Sequence, residues 1–148
     1  GLFSYNGSKW QQKLFVPVNC IYMLSDGILL VGSPSGLFVF SQEEISGQKT
    51  ALNGRNVAGV HQTPDGKIWL NSDESISYFD GIEWVHFTQG MYNATSGKML
   101  SARDGKVWFS RRFSRNGGLY VYDGKKVSQV EGYSQPQDDI MESSDGQI

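Results

Sequence analysis

The sequence contains a single cysteine, Cys20, so no disulfide bond can form within the chain. The residue lies in an apolar segment, without a second cysteine or a nearby histidine that would suggest a metal site. We therefore expect Cys20 to act as a small buried apolar residue. Prolines are also few, at four against eighteen glycines, and this balance suits a chain with many tight turns.

Long apolar runs and an excess of one charge are missing as well. No stretch of about 20 apolar residues is present, so no membrane-spanning helix is expected in these residues, and no signal peptide opens the sequence. The formal net charge is −2, from 13 basic and 15 acidic residues. Because no basic stripe occurs, nucleic acid is not an expected partner.

Four of the six Asp-Gly pairs divide the chain at regular intervals. The glycines of these four are Gly27, Gly66, Gly105 and Gly146, at spacings of 39, 39 and 41 residues. Each pair predicts a tight turn, because glycine adopts the required positive φ without steric cost. The segments that follow are rich in β-branched and aromatic residues, as strands are. A period of about 40 residues with several short strands is typical of a β-propeller blade.

We therefore predict an all-β chain, a β-propeller fragment of about three to four four-stranded antiparallel blades. Residues 1–148 would form one partial propeller. The predicted units are a partial blade at 1–16, blades at 17–54, 55–90 and 91–132, and a partial blade at 133–148. The first strand of the last unit is predicted near Ile140–Glu142. Since the chain starts and stops inside a unit, we expect further blades of a longer protein to be its partners.

Strand direction alternates, so the Asp-Gly turns and the third-to-fourth turns share one face of the predicted propeller. The second-to-third turns and the links between blades share the other face. These segments vary in sequence, and binding residues concentrate on variable loops of a regular scaffold. The candidate ligand-binding residues on this face are Arg55, Asn56, Tyr92, Asn93, Arg111, Arg112, Arg115, Tyr133 and Gln135.

Two interpretations of these residues stay open. Arg111, Arg112 and Arg115, with Phe113 among them, suit an anion or carboxylate clamp, because guanidinium groups match oxyanions and sugars stack on aromatic rings. The same residues also suit a solvated hairpin tip. Likewise, the tyrosine, asparagine and glutamine side chains of the links are either a sugar-binding or peptide-binding set or ordinary loop residues.

The tryptophans are expected to pack rather than to bind. Trp69 and Trp108 occupy one repeat position, and Leu29 is taken as the corresponding residue of the predicted blade at 17–54. Such repeated apolar residues pack between blades. Trp10 and Trp84, each after a third-to-fourth turn, are interpreted in the same way. His61 and His86 stand alone, and the aspartates before glycine form turns, so no metal, cofactor or catalytic group is predicted.

The segments Asp65-Gly66-Lys67-Ile68-Trp69-Leu70 and Asp104-Gly105-Lys106-Val107-Trp108-Phe109 carry a family resemblance. Together with Gly118-Leu119-Tyr120-Val121-Tyr122-Asp123, they resemble the two-component regulator propeller repeat. The likeness covers essentially the whole chain. It departs from the pattern where Leu29 replaces tryptophan and Ser75 replaces glycine.

This resemblance implies the periplasmic or extracellular sensor region of a bacterial hybrid histidine kinase. The segment itself would be non-catalytic, the ligand an oligosaccharide and the parent protein a homodimer. A carbohydrate-active propeller enzyme, either a polysaccharide lyase or a glycoside hydrolase, is the alternative, with a protein-interaction scaffold as the third possibility. The enzyme would need paired carboxylates, for which the variable face offers Asp73, Glu74, Asp138 and Asp139.

Overall fold

The computed structural model of the chain describes residues 1–41, 54–87, 97–112, 117–135, 137 and 139–148. These residues form strands and turns, with no helix among them, in four antiparallel sheets. The strands are β1 (Leu2–Tyr5), β2 (Trp10–Leu14), β3 (Cys20–Met23), β4 (Leu29–Ser33), β5 (Gly36–Phe40), β6 (Val57–Gln62), β7 (Ile68–Ser72), β8 (Ile76–Phe79), β9 (Trp84–Phe87), β10 (Met99–Ser101), β11 (Val107–Arg111), β12 (Gly118–Tyr122) and β13 (Val127–Gln129).

Consecutive strands pair within each sheet. The sheets are β1–β2, β3–β4–β5, β6–β7–β8–β9 and β10–β11–β12–β13. This architecture is the predicted all-β, propeller-like fragment, with antiparallel sheets repeated along the chain. In the predicted blade at 17–54, the polar segment Ser41–Gln48 only weakly indicates an outer strand. All of this segment except Ser41 lies outside the described residues.

The hydrophobic core lies between successive sheets rather than inside one of them. Period-two alternation along the second strands produces this arrangement, since neighbouring side chains point to opposite faces. On β7, Leu70 packs with Leu30 and Val60 toward the preceding sheet, whereas Trp69 packs with Phe109 and Tyr120 toward the following sheet. Both faces of the strand are therefore buried, and each sheet depends on its neighbours for its core.

The Asp-Gly turns have the predicted backbone geometry. Gly27, Gly66, Gly105 and Gly146 have φ of 87°, 86°, 83° and 85°. The preceding carboxylate caps the turn, as where Asp104 Oδ1 accepts the Lys106 N–H at 3.0 Å. These four turns are therefore scaffold, as their composition indicated.

The structure corrects three expectations about apolar residues. Leu30, not Leu29, corresponds to Trp69 and Trp108, because Leu30 faces Val39 as Trp69 faces Tyr78. Trp10 does not pack between sheets: it is 70% exposed and contacts the ring of Tyr5 at a centroid distance of 4.9 Å. Cys20 is only partly buried.

The predicted strand at Ile140–Glu142 is absent, because no described strand lies beside it to supply ladder hydrogen bonds. Other strand ends differ from expectation by one or two residues. No helix long and apolar enough to cross a bilayer occurs in the described ranges.

Candidate functional site

Hydrogen bonds join the second-to-third turns to the links between sheets, so these segments lie at one end of the sheets. We call this end the link end. The Gly54 N–H donates to Ser35 O at 3.1 Å, and the Asp73 N–H donates to Asn56 O at 3.1 Å. Asn19 Nδ2 donates to Asn56 Oδ1 at 2.6 Å. Residues far apart in sequence are thus held together at the link end.

Serine hydroxyls close two of the second-to-third turns. Ser33 Oγ donates to Gly36 O at 2.9 Å and accepts the Ser35 N–H at 3.1 Å. Ser72 Oγ makes the corresponding bonds to the carbonyl and N–H of Ser75, both at 3.1 Å. These hydroxyls supply an acceptor for the turn N–H groups of Ser35 and Ser75.

Arg111 occupies the position that corresponds to Ser33 and Ser72. It is the last residue of β11, pairs with Gly118 on β12, and is fully buried at 0% exposure. Its Nη2 donates to Ser72 O at 3.4 Å, so the guanidinium reaches back to the preceding sheet. The interpretation of Arg111 as part of a solvated hairpin tip is therefore wrong, because its side chain packs between two sheets.

Burial dominates the electrostatics of this arginine. Removal from water lowers the pKa of Arg111 to about 10, while the carboxylate of Asp73 opposes the shift. The guanidinium carbon lies 5.8 Å from the centroid of the Tyr120 ring, within the range of a cation–π contact. Arg111 remains a cation at neutral pH, and its contacts join two sheets rather than open toward solvent.

A cleft of about 540 Å³ lies along the first strands β3, β6 and β10. These strands are the inner edges of three successive sheets, and small residues let the backbones approach. A Cβ placed on Gly59 would lie 3.0 Å from Gly97 O. The residues lining the cleft are Asn19, Cys20, Ile21, Tyr22, Ala58, Gly59, Val60, His61, Gly97, Lys98, Met99 and Arg112.

Polar side chains lie on both sides of this cleft. Arg112 follows the buried Arg111 and lines the cleft together with the exposed Lys98. Opposite them, the Tyr22 and His61 rings meet edge to face at 5.7 Å, and His61 Nε2 lies 2.6 Å from Ser101 Oγ. Burial lowers the pKa of His61, so its neutral form is favoured. The cleft therefore combines two cations with an aromatic wall.

The fold brings together some of the predicted ligand-binding residues. Arg112 lines the cleft and Asn56 bonds to Asn19, which also lines it, whereas Arg55 forms an ion pair with Glu74. Tyr133 and Gln135 are exposed after β13. Three further predicted residues, Tyr92, Asn93 and Arg115, lie outside the described residues, as does Phe113.

Sequence reasoning did not single out the polar residues of the inner strands. Asn19, His61 and Lys98 line the cleft; His61 belongs to β6, and Asn19 and Lys98 directly precede β3 and β10. Their signal in the sequence is their place at the first strand of each unit. The prediction placed binding residues on the variable loops. It therefore did not include the residues at the first strands, which line one cleft only in the folded chain.

Carboxylates are not gathered in the cleft. None of its described lining residues is an aspartate or a glutamate. Glu74 is paired with Arg55, Asp73 lies beside Arg111, and Asp139 Oδ1 accepts the Ile140 N–H at 2.9 Å. Asp138 is outside the described residues. Within the described ranges, no three histidine, cysteine or acidic side chains are grouped as metal ligands would be.

Comparison with known proteins does not assign this chain to a family. No protein-family model matches the sequence, and no curated protein matches it.

Proposed function

We propose that this chain is a non-catalytic, extracytoplasmic ligand-sensing segment of a two-component signalling protein, and that it binds an oligosaccharide. The repeat resemblance supplies the signalling context, together with the homodimeric parent and its periplasmic or extracellular sensor region. The inner-strand cleft is the observation that carries the binding proposal. At about 540 Å³, it falls within the size range of small-molecule sites.

The chemistry of the cleft suits a sugar. Lys98 and Arg112 offer charged hydrogen-bond donors for hydroxyl or carboxylate oxygens, and the partly buried Tyr22 ring offers an apolar surface. Oligosaccharides present both kinds of surface, with polar ring edges and apolar ring faces. The position of Arg112 in this cleft also supports the clamp interpretation for that residue.

The distribution of carboxylates favours binding over hydrolysis. Glycoside hydrolases use two carboxyl groups that flank the scissile bond. The described lining of the cleft contains none, and Asp73 and Glu74 engage arginines at the link end instead. A carbohydrate-active enzyme remains the alternative to the sensor. Turnover of the oligosaccharide, rather than a rise in Tm alone, would identify it.

A ligand in the cleft would act on the arrangement of the sheets. Strands from three successive sheets line the space, so a ligand that contacts all three favours one relative position of those sheets. This differential affinity shifts the population of conformations, which is the thermodynamic basis of a sensor. In the parent dimer, the shift would pass to a membrane helix and a kinase.

Further blades are the proposed partners of the first sheet. Phe3 and Tyr5 on β1 correspond to Tyr120 and Tyr122 on β12, which pack against Trp69 and its neighbours. Phe3 and Tyr5 are each 54% exposed, so the equivalent surface of the first sheet is uncovered in this chain. A preceding blade of the same protein would bury it.

The test is a thermal-shift screen of the protein with neutral and acidic oligosaccharides. A ligand at about 100 times its Kd stabilises the native state by about 2.7 kcal/mol, so a binder raises Tm. Arg112→Ala and Lys98→Ala should each weaken binding about tenfold, because a charge-assisted hydrogen bond is lost. Lys106→Ala, which removes a turn cation at the opposite end, is the control.

Three results would contradict the proposal. The first is the absence of any oligosaccharide that raises Tm. The second is undiminished binding to the Arg112 and Lys98 variants. The third is a flanking coding sequence that leads to a secreted catalytic module rather than to a membrane helix and a kinase. In that case, release of reducing sugar from the oligosaccharide would establish the carbohydrate-active enzyme.

A further inference from the structure

Three junctions between successive repeat units differ at the end that carries the Asp-Gly turns. At the junction of β3–β5 with β6–β9, the Ser25 N–H donates to Gln62 Oε1 at 3.1 Å. At the junction after β10–β13, the Arg103 N–H donates to Glu142 Oε2 at 3.1 Å. These bonds link equivalent repeat positions. Each ties the loop after one first strand to the first-strand position of the next unit.

The middle junction cannot form this bond. Its equivalent residues are Pro64, which has no N–H, and Ser101, whose side chain is too short to span the gap. The Ser101 hydroxyl instead bonds to His61 Nε2 at 2.6 Å. A groove of about 450 Å³ lies at this junction, between the sheets β6–β9 and β10–β13.

Apolar side chains form much of the groove. The fully buried Trp69 and the buried Val107 and Ala102 line it, and the partly exposed Tyr122 and Pro64 complete the wall. Trp69 and Tyr122 contact each other at a centroid distance of 4.8 Å. Because Tyr122 and the exposed Pro64 are the apolar groups that reach the surface, a flat ring can meet an aromatic and an aliphatic side chain together, which favours an aromatic ligand.

The charged groups of the rim are already neutralised. Lys67 forms an ion pair with Asp65, and Arg103 forms one with Glu142 at 3.3 Å. Arg103 Nη1 also donates to Ser144 O at 3.1 Å. A ligand with a net charge would have to compete with these partners, so the groove favours a neutral molecule.

One polar group of the groove wall is not satisfied. Trp69 Nε1 is buried and has no hydrogen-bond acceptor among the described residues. Buried donors without partners are rare, and each calls for an explanation. The third junction also has a hollow, but Glu142 and Arg103 of its bond line it together with Asp104 and Asp145, so its chemistry is that of a salt bridge.

We propose that the groove between β6–β9 and β10–β13 is a second binding site, and that it takes a small neutral aromatic molecule. It lies at the end of the sheets opposite the link end, and the Ser101 hydroxyl at its edge bonds to His61 of the oligosaccharide cleft. The open middle junction, the apolar and aromatic lining and the paired rim charges together define the ligand class.

Indole is the probe that tests this site, with binding to the protein followed by saturation-transfer difference NMR. We expect saturable binding with a Kd on the order of 1 mM, as suits so small a ligand in a partly open groove. The anionic analogue indole-3-acetate should bind at least about tenfold more weakly, because the rim cations Lys67 and Arg103 are already paired with carboxylates and the anion would have to displace them.

The double variant Pro64→Ser/Ser101→Gln rebuilds the Ser25–Gln62 bond at the middle junction. It should weaken indole binding about tenfold or more, because the new side chain lies across the groove. Ala102→Leu, which fills the groove without a polar change, provides a second route to the same loss. Gln62→Ser opens the first junction instead and should leave indole affinity at Trp69 unchanged, so it serves as the matched control.

Three outcomes would overturn the proposal: no saturable binding of indole, unchanged affinity in both groove variants, or tighter binding of the anion than of indole. Native folding of each variant is checked by its circular dichroism spectrum and by a cooperative urea denaturation curve. If a folded groove variant binds indole with unchanged affinity, indole binds at a site other than this groove.

Discussion

The two four-stranded sheets are alike at one end and different at the other. At the Asp-Gly end, Asp65 and Asp104 both precede a glycine and form an ion pair with the lysine that follows it. At the link end, Ser72 closes a short turn by its hydroxyl, whereas Arg111 at the same position crosses to the preceding sheet. The Asp-Gly turns themselves are the same in both sheets, whereas the residue at the link end changes how a sheet meets its neighbour.

Ser72 and Arg111 occupy the same repeat position but make different contacts. Ser72 satisfies polar groups of its own turn, so its effect is local. Arg111 bonds to a carbonyl of the neighbouring sheet and lies near the charge of Asp73, so its effect is on the junction. A repeat can thus keep its backbone while one residue changes the connection between repeats.

The largest expected effect concerns the tryptophans of the two sheets. Trp69 is 1% exposed and contacts Phe109 and Tyr122 of the next sheet at 5.3 and 4.8 Å. Trp69→Ala should lower the free energy of unfolding by about 3–5 kcal/mol, since it leaves a large cavity. Trp108→Ala, at the equivalent but partly exposed position, should cost about 1–2 kcal/mol.

Urea denaturation followed by circular dichroism measures both effects on the same protein. Equal losses for Trp69→Ala and Trp108→Ala would contradict the difference in burial between the two junctions. Trp69→Leu is the matched control, because the first junction carries Leu30 at this position. It should retain part of the stability that the alanine variant loses.

A smaller effect is expected at the arginine. Arg111→Met should lower the free energy of unfolding by about 1–3 kcal/mol, because Ser72 O loses its donor and the buried Asp73 Oδ1 loses the nearby cation. The double variant Arg111→Met/Asp73→Asn should recover part of this loss, since no buried charge is then left without an opposite.

A double-mutant cycle built from these variants isolates the coupling between the two residues. Simple additivity of Arg111→Met and Asp73→Asn would show that the two charges do not interact across the junction. Arg111→Lys preserves the charge but not the planar guanidinium. It should therefore be intermediate in stability if both charge and geometry matter.

The smallest expected effect is the pH dependence that His61 contributes. Burial lowers the pKa of His61 below its ordinary value of 6.5. As pH falls through 6.5, the unfolded chain binds a proton that the native state resists, so stability decreases toward acid and is unaffected well above 6.5. Tm should therefore decrease as the pH is lowered from about 7.5 to about 5.5.

His61→Gln removes this titration and keeps a group that can bond to Ser101. The variant should show a flatter dependence of Tm on pH than the parent protein. Gln62→Ser, at the neighbouring position of β6 and without a titratable group, is the control and should preserve the parent slope. An unchanged slope in His61→Gln would show that the imidazole of His61 is not held neutral by burial.

Most of the scaffold was predictable, because its signals are local. The Asp-Gly pairs and the β-branched segments predicted turns and strands within one or two residues, as at Val57–Gln62 and Ile76–Phe79. The same local rules failed where a neighbour decides the outcome. Ile140–Glu142 has strand composition but no described strand beside it, and Trp10 has the position of a packed residue but no described sheet over it.

The candidate site was predictable only in part. Arg112 was singled out from the sequence and lies in the cleft, while Arg111 beside it is buried at a junction. Successive residues of a strand point to opposite sides, so one residue of register separates a residue that lines the cleft from one that packs in the core. An alignment of the repeats would have placed Arg111 with Ser33 and Ser72, and this alignment was the signal that sequence reasoning did not use.

By itself, the sequence determined the period, the turns and the all-β class, since these depend on residues within one unit. The tertiary structure decided which side chains meet across units. The cleft joins Asn19, His61, Lys98 and Arg112 from three sheets, and the groove depends on Pro64 and Ser101 in two. Contacts between residues about 40 positions apart depend on how sheets stack, and no local preference of the chain specifies that geometry.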